Sequence, residues 1–141
     1  FDGLARTPER IAALVRALFR QYTYLQPWMR WSHEAAVIPE VADLIARSRQ
    51  ALRDFVALAI APEFDPAPPR LLDLLSVLLD YQSWALLSAQ QGGAAAAIGD
   101  LVTDAALALV RHFHSLPAEK PSQPKGHAGR RKAVRQEDRR T

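Results

Sequence analysis

The stretch that decides the fold is Pro69–Gln91, PRLLDLLSVLLDYQSWALLSAQQ, which Gly92 and Gly93 follow. Proline is favoured in the first turn of a helix and glycine just beyond its end, so this stretch predicts one long helix. At about 100° per residue its polar side chains fall on one narrow strip, and apolar side chains cover most of the rest. A surface helix of a monomer needs an apolar stripe only a little wider than about 100°. We therefore expect this helix to be buried on two sides, by its own bundle and by a second copy of the chain.

Three further segments have the apolar spacing of amphipathic helices. The first covers residues 7–26, after which Pro27 should kink or break the helix. The second covers residues 39–61, and the last covers residues 94–115. No segment has the alternation of a half-buried strand. The predicted fold is all-α, an antiparallel bundle of about four long helices whose last two form a dimeric four-helix bundle.

Composition narrows the class of protein. The 141 residues fit one domain, and a hydrophobic content of 49% is enough for a globular core. Apolar runs are interrupted well before the roughly 20 residues of a membrane span, and the start of the chain has no secretory pattern. Because cysteine is absent, neither a disulfide nor a thiolate metal site is available. We expect a cytoplasmic protein without a membrane partner.

Charge is spread unevenly along the chain. Residues 116–141 hold 8 basic and 3 acidic side chains, whereas residues 1–115 hold 10 basic and 12 acidic ones. The body therefore offers no basic face for nucleic acid. We assign residues 1–116 to one domain and residues 117–141, which are rich in proline, glycine, lysine and arginine, to a basic disordered tail.

Candidate catalytic and metal-binding residues are few. Asp73 and Asp80 share one helix face, but paired acids on a polar strip are usually solvated surface. His112 and His114 lie two residues apart on a helix, point in different directions and cannot bind one metal together. An α-helical enzyme would need buried titratable groups that converge in a cleft, which the predicted inner faces almost lack. We predict no enzyme, no metal and no cofactor.

A set of short motifs, taken in order, resembles a known family. They are Trp31, Glu34, Pro39-Glu40-Val41, Ala61-Pro62-Glu63, Leu72–Leu79, Ser83-Trp84, Gln91-Gly92 and the alanine-rich helix Ala94–Phe113. Over residues 7–115 the layout is similar to the C-terminal regulatory domain of TetR-family transcription regulators, the tetracycline-repressor-like proteins.

The resemblance implies a domain that binds a small, mostly apolar effector among its helices and dimerises through its last two. In that family, effector binding shifts helices joined to an N-terminal helix-turn-helix and releases DNA. We expect no helix-turn-helix within residues 1–141, so DNA contact is expected only from a domain outside this sequence. The predicted dimer interface consists of Leu72, Leu79, Trp84, Leu86, Leu101, Ala105, Ala108, Leu109 and His112.

Large aromatic side chains are the candidates for the effector pocket, because small-molecule sites are mostly apolar with a few polar tips. Ordinary core packing is the alternative interpretation, and the resemblance favours the pocket. The candidate effector-binding residues are Phe19, Tyr22, Trp28, Met29, Trp31, Phe55 and Tyr81. A helical homodimerisation module without any small-molecule ligand remains the alternative function.

Overall fold

The structure is a computed structural model that describes residues 1–29, 38–92 and 95–116. Within these ranges the chain forms five α-helices and no strand, which confirms the all-α prediction. The helices are α1 (Thr7–Met29), α2 (Pro39–Ile60), α3 (Pro69–Leu78), α4 (Tyr81–Gln90) and α5 (Ala95–Ser115).

Contacts between distant residues give the directions of the helices. The Arg10 guanidinium, near the start of α1, donates to the Leu58 carbonyl near the end of α2 at 3.0 Å. Arg53, two turns before the end of α2, forms an ion pair with Asp73, one turn into α3. Helices α1, α2 and α3 are therefore antiparallel neighbours in that order.

Helix α5 closes the bundle between α1 and α3, and it packs most extensively on α1. The His114 ring at the end of α5 lies 5.9 Å from the Phe64 ring, which follows the end of α2. Helix α5 therefore runs parallel to α2 and antiparallel to α1 and α3. This arrangement confirms the predicted antiparallel bundle, although two of the five helices are short.

Apolar side chains spaced at helical intervals fill the centre of the bundle. On α5 the buried residues recur every four positions, and buried residues of α1, α2 and α3 pack against them. The largest of the fully buried apolar side chains are Ile11, Val15, Val56, Ile60, Leu71, Leu75, Leu79, Ile98, Val102 and Val110.

The predicted single helix over residues 69–91 is wrong, because the chain leaves helical geometry at Leu79 and Asp80. Asp80 has extended backbone, and its carboxylate accepts the Ser83 N–H at 2.8 Å. An aspartate in this position satisfies one of the N–H groups that the start of a helix leaves without a partner. Asp80 and Ser83, which the helical wheel placed on a solvated polar strip, therefore form the start of a second helix.

Contacts from α1 and α4 stabilise the break. In a continuous helix the Leu79 carbonyl would accept the N–H of Ser83, four residues later. Here the Tyr22 hydroxyl of α1 donates to that carbonyl at 2.8 Å, and the Ser83 hydroxyl donates to the Val77 carbonyl at 2.6 Å. The carbonyls released by the break thus keep hydrogen-bond donors, so leaving helical geometry exposes no unpaired group at these two positions.

Of the kink or break predicted at Pro27, the break is wrong, since α1 continues through Pro27 to Met29. An internal proline removes one backbone hydrogen bond, to the carbonyl four residues earlier. Pro27 lies in the last turn of α1, where few further hydrogen bonds depend on it. The predicted tail, residues 117–141, lies outside the described residues.

Candidate functional site

A groove of about 380 Å³ runs between α1 and the first turns of α5. Its floor includes the buried side chains of Val15 and Phe19. Arg16 and Arg20 line the α1 side, and Asp100 lines the α5 side. The groove thus has an apolar floor and charged edges, and its volume lies within the range of about 300–1,000 Å³ that ligand pockets usually have.

A second cavity of about 270 Å³ adjoins this groove. It lies where the end of α1 meets α4, and its lining includes Gln26, Trp84 and Ser88. Thr23 and Ala95 line both cavities, so the two form one continuous depression along α1. We call the groove and the cavity together the α1–α5 trough.

Gly99 leaves open space in the wall of the groove. A Cβ atom built on Gly99 would have no heavy atom of the described residues within 4 Å outside its own helix. Glycine inside a helix costs about 1 kcal/mol relative to alanine, so its presence usually has a packing or functional reason. In this chain Gly99 keeps the groove wide where α5 faces α1.

Four aromatic rings pack against one another beside the trough. The Tyr22 ring centroid lies 5.6 Å from that of Tyr81, 5.9 Å from that of Trp84 and 6.3 Å from that of Phe19. Tyr81 and Trp84 are 5.5 Å apart. Aromatic pairs at these separations stabilise one another beyond the area that they bury. Tyr22 and Tyr81 therefore belong mainly to a packed cluster, whereas Phe19 also reaches the groove floor.

The other predicted effector-binding residues are scattered. Phe55 is 51% exposed on the outer side of α2, so the structure does not bring it to the aromatic cluster. Met29 is half-buried at the end of α1. The side chain of Trp28 and the whole of Trp31 lie outside the described residues, so their role in a pocket stays a prediction.

Sequence reasoning missed the residues that line most of the groove. Arg16 and Arg20 lie opposite the apolar stripe of an amphipathic helix, a position that usually indicates solvated surface. Thr23 belongs to no motif that indicates a binding site. The available signal was Gly99, an internal glycine in a predicted helix with no turn to explain it.

The Tyr22 hydroxyl links α1 to the break between α3 and α4, and its environment favours the protonated form. Burial, and next the negative charge of Asp80, raise the pKa of Tyr22 from 10.0 to about 12. Because the folded state holds this proton more tightly than the unfolded state, the stabilisation is complete below pH 10 and is lost as the pH rises to about 12.

We expect Tyr22→Phe to remove this part of the alkaline pH dependence. The free energy of unfolding of the unmodified chain should fall between pH 10 and about 12 more steeply than that of the variant. Urea unfolding at a series of pH values measures both slopes. Tyr81→Phe, in the same cluster, is the control and should keep the steeper slope; equal slopes for Tyr22→Phe and the unmodified chain would contradict the assignment.

The outer side of α5 carries a second apolar surface. Leu101, Ala105, Ala108 and His112 follow one another at intervals of four, three and four residues, so they share one side of the helix. Leu101 is 46% exposed, Ala108 and His112 are also exposed, and Ala105 is half-buried. The neighbouring α3 exposes two further apolar side chains. We call the six residues Leu74, Val77, Leu101, Ala105, Ala108 and His112 the outer face.

Two residues of the predicted dimer interface are buried within the single chain, where Leu79 is 1% exposed and Trp84 is 4% exposed. Their contact with a second copy stays a prediction. Both lie at or just after the break, which directs their side chains into the core instead of along one continuous rod. Leu72 and Leu109 are half-buried beside the core, and Leu86 is exposed on α4.

Among residues 1–29, 38–92 and 95–116 no group of three or more histidine or acidic side chains is arranged to hold a metal ion. No described helix combines the length and apolarity needed to cross a membrane. No family model matches the chain, and neither a curated protein nor a solved structure matches it. Proposals about function therefore depend on the trough and the outer face themselves.

Proposed function

We propose that this chain is a helical sensor domain that pairs with a second copy of itself and binds a small apolar molecule in the α1–α5 trough. More particularly, we propose that it is the effector-binding and dimerisation domain of a TetR-like transcriptional repressor in the cytoplasm. DNA would be bound by a domain outside this sequence.

One observation carries the proposal: α5 contributes both to the trough and to the outer face. Ala95 and Gly99 line the trough, while Leu101 and Ala108 lie on the exposed side of the same helix. Exposed apolar residues at this spacing are typical of a helix that pairs with another helix. A ligand in the trough would therefore press on the helix that holds the two copies together.

In the proposed mechanism the paired α5 helices are the fixed frame and α1 is the element that moves. A ligand between α1 and α5 would displace α1, because α5 is held by its copy. Such a change is a shift between two arrangements, and it requires that the ligand bind one of them more tightly. The Tyr22 hydrogen bond to the Leu79 carbonyl would transmit the displacement of α1 to the break between α3 and α4.

The second candidate function is a homodimerisation module without a ligand. The observation that favours it is the packing of Tyr22, Tyr81 and Trp84 ring against ring, which leaves less space than a pocket lined by these aromatic side chains would have. The same outer face would serve this module, so only ligand binding separates the two proposals.

We expect 1-octanol, or another apolar molecule of similar length, to bind the unmodified chain in a saturable way. Calorimetry and tryptophan fluorescence both report this binding, since Trp84 lines the trough. Gly99→Leu should abolish it, because the new side chain fills the space in the groove where the described part of the chain places no atom within 4 Å of a Cβ at this position. The variant should fold at least as well as the parent, since leucine favours a helix over glycine by about 0.5–1 kcal/mol.

Ala46→Leu is the matched control, because Ala46 is exposed on α2 and the same side chain there leaves the trough unchanged. It should bind 1-octanol as the unmodified chain does. Unaltered binding by Gly99→Leu would overturn the proposed site. No saturable binding by any apolar probe would favour the module without a ligand.

A further inference from the structure

We infer that the ligand of the α1–α5 trough is an amphipathic monoanion, with an apolar body and one carboxylate. This inference rests on the proposed function and adds the charge of the ligand to it. The observations that carry it are the two arginine side chains at the edge of the groove.

Arg16 and Arg20 are four residues apart on α1, so their side chains lie on the same side of the helix. Both line the groove, and both are exposed. Within the described part of the chain neither guanidinium forms an ion pair or a hydrogen bond. Their donors are therefore free to bind a ligand.

The charge around the groove differs from that of the rest of the body. Among the described residues that line the groove, Asp100 is the only acidic one, against the two arginines, so this described lining carries a net charge of +1. Residues 1–115 as a whole hold 10 basic and 12 acidic side chains, a net charge of −2. A positive groove on a negative body selects an anion, and a single excess charge is matched by a monoanion.

Different parts of the groove suit the two ends of the ligand. Val15 and Phe19 form an apolar floor on which a hydrocarbon chain can be buried. The planar guanidinium group presents paired donors whose spacing matches the two oxygens of a carboxylate. Because the arginines are exposed, their contribution is moderate and is weakened by salt.

The test compares octanoate with 1-octanol, which have hydrocarbon chains of similar length and differ in charge at pH 7. Calorimetry at about 20 mM salt should show octanoate bound at least about fivefold more tightly than 1-octanol. At about 500 mM salt this preference should shrink, because the charges are then screened within about 4 Å. In the double variant Arg16→Gln, Arg20→Gln we expect equal affinities, while 1-octanol affinity stays close to its original value.

Arg49→Gln is the matched control, because Arg49 is an exposed arginine of α2 that does not line the groove. It should retain the preference for octanoate. Equal affinity of the unmodified chain for octanoate and 1-octanol would overturn the monoanion inference and leave the proposed apolar site standing. Failure of both probes to bind would overturn the site together with the inference.

Discussion

Replacement of Leu101 by aspartate is expected to convert the proposed dimer into monomers. Leu101 is 46% exposed on the outer face, and a symmetric pairing would bring the same surface of both copies together. A carboxylate buried in an apolar interface loses its hydration without gaining a partner, which costs several kcal/mol. We expect the dissociation constant to rise by at least about 100-fold, which corresponds to about 2.7 kcal/mol.

Sedimentation equilibrium over a range of concentrations measures this constant directly. Leu44→Asp is the matched control, because Leu44 is an exposed leucine of α2 that lies outside the outer face. It should leave the molar mass unchanged. A Leu101→Asp variant that remains folded and dimeric would show that α5 does not pair through this face.

Trp84→Ala is expected to destabilise the fold by about 3–5 kcal/mol, the usual cost of removing a large buried aromatic side chain. Trp84 is 4% exposed and packs against the rings of Tyr22 and Tyr81 beside the break. Its removal would leave a void among residues from α1 and α4 that cannot easily close. Urea unfolding, with the slope of the transition as a check on two-state behaviour, measures the loss.

Trp84→Phe distinguishes the contribution of the side-chain volume to stability from that of the indole N–H group. The Trp84 Nε1 atom is buried without a hydrogen-bond partner among the described residues, so the phenylalanine loses no hydrogen bond. We expect this variant to lose about 1–2 kcal/mol, clearly less than the loss for alanine. A loss below about 1 kcal/mol for Trp84→Ala would contradict a core role and would make Trp84 available again to a dimer interface.

The long helices could be predicted because their signals are local. Pro39 and Pro69 occupy the first helical position, where a missing N–H costs nothing, and α2 and α3 begin at these residues. The inner face of α5 follows from apolar residues that recur every four positions. These features depend on residues within a turn or two of each other, so the sequence alone is enough.

The break between α3 and α4 could not be predicted in the same way. No glycine or proline lies between Leu78 and Gln82, and the residues there are compatible with a helix. The hydroxyl that donates a hydrogen bond to the Leu79 carbonyl belongs to Tyr22, which is 57 residues away in the chain. A helical wheel contains no information on such a contact, so it predicted one continuous helix where the chain forms two.

The candidate site illustrates a similar limit. The aromatic content of the chain suggested a pocket, but composition cannot tell rings that line a cavity from rings that pack on one another. The groove instead depends on a missing side chain at Gly99 and on the separation of α1 from the start of α5. That separation is a property of the packed bundle and has no local sequence signal.

The proposed dimer requires that the outer face bind a second copy of the chain. The molar mass of the unmodified chain at sedimentation equilibrium tests it most directly. We expect a mass twice that of the 15.7 kDa chain at micromolar concentration. A mass of 15.7 kDa at every concentration up to about 100 μM would contradict it, because so weak an association corresponds to less than about 5.5 kcal/mol.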